Sequence, residues 1–298
     1  METTSVMRAD KSVKHGSEYW KRYAWRGVIY LFTIALGIIF MLPFIWTLSS
    51  AFKNPWELYI FPPTWIPQEP RPYNFVRVFE VVPFARWIYN SILVAFFNVA
   101  AQVLVASAVA FGFSRFRFKG RNVLFVMMLS TMMLPVHVTI IPTFLMFRYI
   151  GWLDTLLPLI VPAFFGGGAF NIFLLRQFFM TIPLDFDEAA YVDGASSFTI
   201  FAKLIMPLSK PAISTVAIFA FLGSWNNFLG PLIFLNSARN FTVSLGINYF
   251  KVAPLDAGEP RDHLLMAAST LITLPGIILF FAAQRYFISG IVMSGIKG

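Results

Sequence analysis

Charge is absent from six long stretches of this chain. They run Gly27–Phe52, Trp87–Ser114, Asn122–Phe147, Thr155–Leu175, Pro211–Ala238 and Leu264–Gln284, and none holds Asp, Glu, Lys or Arg. Each is at least about 20 residues long, which is what an α-helix needs to cross the hydrocarbon core. Their apolar residues are continuous rather than alternating, so a barrel is excluded and helices are expected. The pattern predicts an all-α integral membrane protein with six transmembrane helices, near 27–50, 87–113, 122–147, 155–175, 211–236 and 264–286. A basic tail, 1–26, precedes one transmembrane domain, 27–298, and a loop, 176–210, separates the fourth and fifth spans.

The charges between the spans set the orientation. With the N-terminus in the cytoplasm, 15 of the 23 basic residues fall on the cytoplasmic side. The short segment Ser114–Arg121 alone carries Arg115, Arg117, Lys119 and Arg121. By the positive-inside rule both termini are expected in the cytoplasm. The net charge of +9 is thereby explained by topology, and no nucleic-acid partner is expected. A composition of 58% hydrophobic and 12% charged residues agrees with a membrane chain in contact with lipid. The absence of cysteine excludes disulfides and thiol chemistry. The first apolar stretch is too long for a signal-peptide core, so it is expected to remain as an anchor.

Proline and glycine qualify the spans. The third contains Pro135 and Pro142, and the fourth contains Pro158, Pro162 and Gly166–Gly167–Gly168. Such breaks need a cavity or neighbouring protein to take up the freed backbone groups. The outer segment Lys53–Arg86 is too rich in proline for a long helix and reads as an irregular cap with a short helix near Asn74–Val82. The segments Arg148–Asp154 and Arg239–His263 read as the other outer loops.

The loop 176–210 has a texture of its own. Asp185 and Asp187 favour a helix N-terminus, Glu188 to Asp193 continue the helix, and Gly194 is suited to end it in a left-handed conformation. Ala189 and Ala190 allow another backbone to approach closely. A second helix is expected over Ser197–Met206, with Phe198, Phe201 and Ile205 on one face and Pro207 and Pro211 as its stop.

Here the sequence resembles a known family. Glu188-Ala189-Ala190, then Asp193-Gly194-Ala195, Phe201, Ile205, Pro207-Leu208 and Pro211 resemble the Glu-Ala-Ala loop of binding-protein-dependent ABC importers. The version here is similar to the carbohydrate-uptake, maltose-permease-like branch. The likeness extends over roughly residues 30–298, through Leu134-Pro135, Phe173 to Gln177, Trp225 to Phe228, and Gln284 to Gly298. It departs at Met206, where Leu is usual, and at Asn227, where Asp is frequent and a charge is lost.

The resemblance implies a permease subunit, not an enzyme. It implies a second permease subunit, a cytoplasmic ATPase dimer that binds the ATP and Mg, and an external solute-binding protein. No cofactor is expected on this chain. Glu188 would anchor the loop by charge, Ala189 and Ala190 would pack closely on the ATPase, and Gly194 would supply the turn. The expected cargo is an oligosaccharide, disaccharide or polyol, with sn-glycerol-3-phosphate as the alternative. An ion-coupled transporter is a remote alternative, because such carriers use acidic residues within their spans and this chain has none there.

Candidates for the solute path are polar groups within the apolar stretches. His137 is the ionisable one. Asn171, Gln102, Trp225, Asn226 and Asn227 could each meet sugar hydroxyls, and each could equally serve a hydrogen bond between helices. A phosphate-binding G-x-x-x-x-G-K-[ST] run is absent, and Asp, Glu and His do not cluster at metal-ligand spacing.

Overall fold

Backbone polar groups in lipid have only one another as partners, so apolar stretches of this length become helices. The computed structural model describes the backbone of residues 3–252 and 260–295. It describes the side chains of residues 23–284, apart from residue 249 and residues 251–259. Among the described residues the regular structure is entirely helical.

Helix α1, Thr3–Ala51, runs unbroken from the tail through the first span. At about 1.5 Å per residue it is more than twice the thickness of a hydrocarbon core. A proline-rich cap over the end of α1 follows, with α2, Asn74–Val81, where a short helix is expected from sequence. Lys53 is fully buried under this cap, its ammonium 4.1 Å from the centre of the Trp46 ring and bonded to the Thr64 carbonyl. Burial pushes the Lys53 pKa down, and the nearby charge of Glu57 opposes that. The Asn74 amide donates to the carbonyls of Ala51 and Lys53, closing the cap onto the end of α1.

The second span is α3, Phe84–Arg115. The stretch expected as the third span holds α4, Arg121–Ser130, followed by α5, Val136–Tyr149, with a bend of 94° between the Arg121–Met133 and Val136–Tyr149 segments. The bend falls at Leu134–Pro135, where the backbone is extended as the residue before a proline prefers. Pro142 lies inside α5. The stretch expected as the fourth span is interrupted: α6, Leu157–Ile160, α7, Ala163–Gly166, and α8, Ala169–Thr181. Gly167 and Gly168 join α7 to α8 with φ of 60° and 75°. A β-carbon on Gly167 would lie 2.9 Å from the Ala106 backbone nitrogen, so glycine is required there for conformation and for the close approach to α3.

The fourth helix outruns its expected end at residue 175. It carries Arg176 inside α8, where the guanidinium sits 4.1 Å over the Phe125 ring and its Nε donates to the Phe113 carbonyl. A charge near the end of a span is tolerated when a ring and a carbonyl receive it.

Then come α9, Asp185–Val192, and a continuous helical stretch made of α10, Ser197–Thr199, a π turn, Ile200–Ile205, and α11, Met206–Leu208. The stretch expected as the fifth span opens with α12, Lys210–Trp225, which meets the Ser197–Leu208 segment at a bend of 82°. It does not continue unbroken to 236, because Asn226–Asn227 end α12 and α13, Leu229–Phe234, resumes after them. The segment read as a third outer loop contains a helix, α14, Val243–Val252. Asp256 and Glu259 of that segment lie outside the described residues. The last span is α15, Asp262–Gly295, whose first turn buries His263.

Side-chain contacts sort these elements to two ends. At one end, Trp87 Nε1 donates to the Ala238 carbonyl, Asn90 donates to the Arg239 and Phe241 carbonyls, and Ser91 Oγ accepts from the Val243 amide. Asp154 accepts from the amides of Asn236 and Ser237 at the same end. At the other end, Arg115 reaches Asp187 and the Ile182 carbonyl. An apolar core occupies each end. One gathers Phe84, Trp87, Trp225, Val243 and Leu264. The other gathers Ala106, Phe111, Leu175, Phe179, Ile200, Ile205 and Val216.

Candidate functional site

The loop between α8 and α12 is built to stand proud of the bundle. Three acidic residues, Asp185, Asp187 and Glu188, occupy the first turn of α9 and complement its positive end. The helix ends in a Schellman motif: the Ala195 amide donates to the Ala190 carbonyl, the Gly194 amide donates to the Tyr191 carbonyl, and Gly194 takes φ of 80°. Glu188, Ala189, Asp193 and Gly194 are exposed, as are Tyr191 and Val192. Ala190 is half-buried against the bundle, so only one of the two alanines faces outward.

The second helix of the loop presents a different face from the one its i, i+3, i+4 spacing suggests. Phe198 is 76% exposed, whereas Ile200 and Ile205 are buried and Phe201 and Leu204 pack beside them. The π turn at Ile200–Ile205 adds a residue to one turn and rotates the apolar stripe. Pro207 does not stop the helix but lies within it, and the stop falls at Ser209, where φ is −96° and ψ is 12°. The π turn has already disturbed the bonding ladder just before Pro207, so its missing N–H costs little there.

Arg115 ties the loop to the membrane bundle. Its Nε lies 2.8 Å from Asp187 Oδ2, and its two terminal nitrogens donate to the Ile182 carbonyl at 3.2 and 3.1 Å. Burial pushes the Asp187 carboxyl above its ordinary pKa, and the charge of Arg115 works against that rise.

Between the two apolar cores lies a polar layer. A cavity of about 350 Å³ is lined by Asn98 and Gln102 from α3, Phe170 and Asn171 from α8, Phe219 and Ser224 from α12, and Asn227 beyond it. Asn98 donates to the Leu159 carbonyl, which the short helix α6 leaves near its broken end, and Asn171 donates to Gln102 Oε1. A second cavity, about 410 Å³, lies between α5, α6 and α13 and includes Thr139, Thr143 and Asn227. Leu159 and Asn227 line both cavities.

Of the solute-path candidates, the structure brings together Asn171, Gln102 and Asn227. His137 is exposed in the first turn of α5 and lines neither cavity. Asn226 is exposed and returns its amide to the Leu222 carbonyl. Trp225 is buried, donates to the Ile272 carbonyl and stacks on Phe221 at 5.6 Å, which gives it a packing role. Asn98 and Ser224 were not candidates from sequence. The available signal was spacing: Asn98 and Gln102 stand four apart on one helix, on a common face.

A broken-helix bundle with a polar middle and a capped, protruding helix pair at its basic end describes a multi-pass membrane transport subunit. The family model of the binding-protein-dependent transport system inner membrane component matches residues 102–292, and the chain belongs to that family. Among curated relatives, a probable ABC transporter permease protein, YurM of Bacillus subtilis, is 32% identical over 91% of this chain and 87% of its own length. The arabinooligosaccharides transport system permease protein AraQ of the same organism is 35% identical over 72% of this chain and 74% of its own. The maltodextrin transport system permease protein MdxG, also of Bacillus subtilis, is 30% identical over 90% and 95%. Among solved structures, a chain of a bacterial ABC transporter involved in the import of the acidic polysaccharide alginate superposes with a TM-score of 0.77 at 24% identity, covering 88% of this chain and 97% of that one. That likeness is one of fold.

Proposed function

We propose that this chain is one of two permease subunits of an ATP-driven importer that carries an oligosaccharide, a disaccharide or a related polyol across a bacterial cell membrane. An external solute-binding protein delivers the solute. A dimer of cytoplasmic ATPase subunits binds the ATP and Mg. The sugar-transport relatives AraQ and MdxG support the carbohydrate cargo.

Six spans follow from this reading: α1, α3, the bent pair α4 and α5, the interrupted α6 to α8, the pair α12 and α13, and α15. Both termini are cytoplasmic. The end that carries α9 also carries Arg115, Arg117, Lys119, Arg121, Lys203 and Lys210, which supports the cytoplasmic assignment of that end.

The observation that carries the coupling role is the pairing of an exposed, Schellman-capped α9 with a buried ion pair to α3. Glu188, Ala189, Asp193, Tyr191 and Val192 form its outward surface. Its inward side bonds to Arg115 through Asp187, and the π turn that follows in the same loop packs Ile200 and Ile205 on α3, α8 and α12. Burying each isoleucine is worth roughly 2 kcal/mol. A push on α9 therefore moves the helices that line the polar cavity, rather than bending a loose connector. Co-purification with an ATPase tests this reading. Uptake should stop when that ATPase is inactivated by mutation, and continued uptake would refute it.

A further inference from the structure

The polar layer holds an unusual set of spare bonding groups. Asn98 uses its Nδ2 on the Val94 and Leu159 carbonyls, Asn171 uses its Nδ2 on Gln102 Oε1, and Asn227 uses its Oδ1 on the Gly230 amide. Each amide thus spends one half on the protein. Among the described residues no protein group takes the other halves: Asn98 Oδ1, Asn171 Oδ1, Gln102 Nε2 and Asn227 Nδ2. Two of these are acceptors and two are donors. A hydroxyl group both donates and accepts, so this set matches a polyhydroxylated ligand better than a simple anion or cation.

The remaining walls fit the same ligand. Phe170 and Phe219 meet with ring centres 6.0 Å apart and are 47% and 42% exposed. Open aromatic faces suit the C–H faces of a pyranose or furanose ring. Among the described residues that line this cavity none is charged. A carboxylate or phosphate brought here would lose hydration and gain no counter-charge, which is costly at membrane depth. The volume of about 350 Å³ is in the range of small-molecule sites.

We infer that this subunit itself carries a contact site for a neutral sugar, made by the free amide halves of Asn98, Gln102, Asn171 and Asn227 and by the rings of Phe170 and Phe219. The inference rests on the carbohydrate reading and goes beyond it: it says where on this chain the sugar is held, and that the sugar there is uncharged. The site sits on α3, α8 and α12, the helices that the coupling loop grips.

The test uses the whole importer, with its partner permease, ATPase and binding protein, reconstituted in vesicles. The probes are labelled arabinotriose, maltotriose, galactotriose and, as the acidic comparison, trigalacturonate. The readout is sugar imported per ATP hydrolysed. The wild type imports at least one neutral trisaccharide and not the uronate. Asn171→Ala removes one buried amide and Phe219→Ala one exposed ring. Each is expected to lower the ratio about tenfold, the effect of losing one good hydrogen bond or an equal apolar contact. Asn226→Ala, one position outside the cavity, stays at the wild-type ratio. Because Phe219 is partly exposed, its variant remains informative if Asn171→Ala fails to reach the membrane.

An unchanged ratio in Phe219→Ala and Asn171→Ala overturns the site and leaves the carbohydrate reading standing. Preferred import of trigalacturonate overturns the neutral assignment alone. Import of none of the four, nor of the matching disaccharides and sorbitol, overturns both.

Discussion

Arg115 and Asp187 meet at 2.8 Å across the junction between α3 and the loop helix α9, with their side chains 5% and 9% exposed. A pair this enclosed is costly to break, because removing one partner strands the other charge. Asp187→Ala is therefore expected to lose about 3 kcal/mol of local stability and most ATP-dependent uptake. Arg115→Met combined with Asp187→Leu removes both charges. It should return the protein to wild-type amounts in the membrane while uptake stays low, which separates folding from coupling. Quantitative immunoblotting and uptake on the same vesicles measure the two effects.

The same pair makes a pH prediction. Burial raises the Asp187 pKa, so its carboxyl takes a proton at a higher pH than an ordinary aspartate does. The ion pair is lost as pH falls through that raised value. Coupling should weaken as pH falls, starting at a higher pH than an ordinary aspartate would set, and Asp187→Asn should remove this step from the profile of uptake against pH.

Gly194 supplies a second test. Its φ of 80° is strained for a side-chain-bearing residue, while a β-carbon added there would meet no atom within 4 Å. Conformation, not space, is then the constraint. Gly194→Val should cost about 1–2 kcal/mol in the α9 turn and reduce coupling, whereas Gly194→Asn should stay near wild type because asparagine tolerates the left-handed region. Equal behaviour of the two variants would show that the turn does not matter.

Trp87 lies against Gly246, where an added β-carbon would come within 2.2 Å of the indole ring. Trp87 is fully buried, so the ring has no open side to move into. Gly246→Ala is expected to cost about 1–3 kcal/mol by overpacking. Trp87→Leu should relieve it in the double variant. Thermal unfolding of the purified protein in detergent reads both.

Asp154 is a pH-dependent clasp at the end of the bundle opposite α9. Burial works to raise its pKa, but hydrogen bonds from the Ser237 hydroxyl and amide and from the Asn236 amide hold it at about 2. An acid with a depressed pKa contributes stability above its unfolded value of 3.8, and that contribution disappears as pH falls through about 2. Protease resistance of the segments 148–156 and 235–242 should hold down to about pH 4 and decline below it. Asp154→Asn should weaken it already at neutral pH and flatten the decline.

The apolar pattern carried the broad architecture. Its stretches located α1, α3, α15 and the bent or interrupted spans between them, because length and lack of charge are local properties that lipid enforces directly. The turn chemistry of Gly194 and the acidic first turn of α9 were equally local. Arg176, by contrast, was read as the end of a span because charge was the criterion; the ring of Phe125, distant in sequence, lets the helix carry it further.

What the chain's order of residues determined by itself is the class of protein: a helical membrane bundle, its basic segments, and a loop punctuated by acidic residues, glycine and proline. What tertiary structure alone decided is which polar residues share a space. His137, Trp225, Asn226, Asn227 and Asn171 looked alike in sequence, each a polar or aromatic group in an apolar run. Packing separates them, burying Trp225 on Phe221, leaving His137 and Asn226 outside, and bringing Asn171 and Asn227 to one cavity with Asn98 and Gln102. The reason is physical: helix formation depends on neighbours along the chain, whereas a cavity depends on where the unbroken α3 meets two interrupted stretches, α6 to α8 and α12 to α13. The loop at α9 follows the same division, its turn written locally in Gly194 and its grip on the bundle made only when Arg115 reaches Asp187 across the fold.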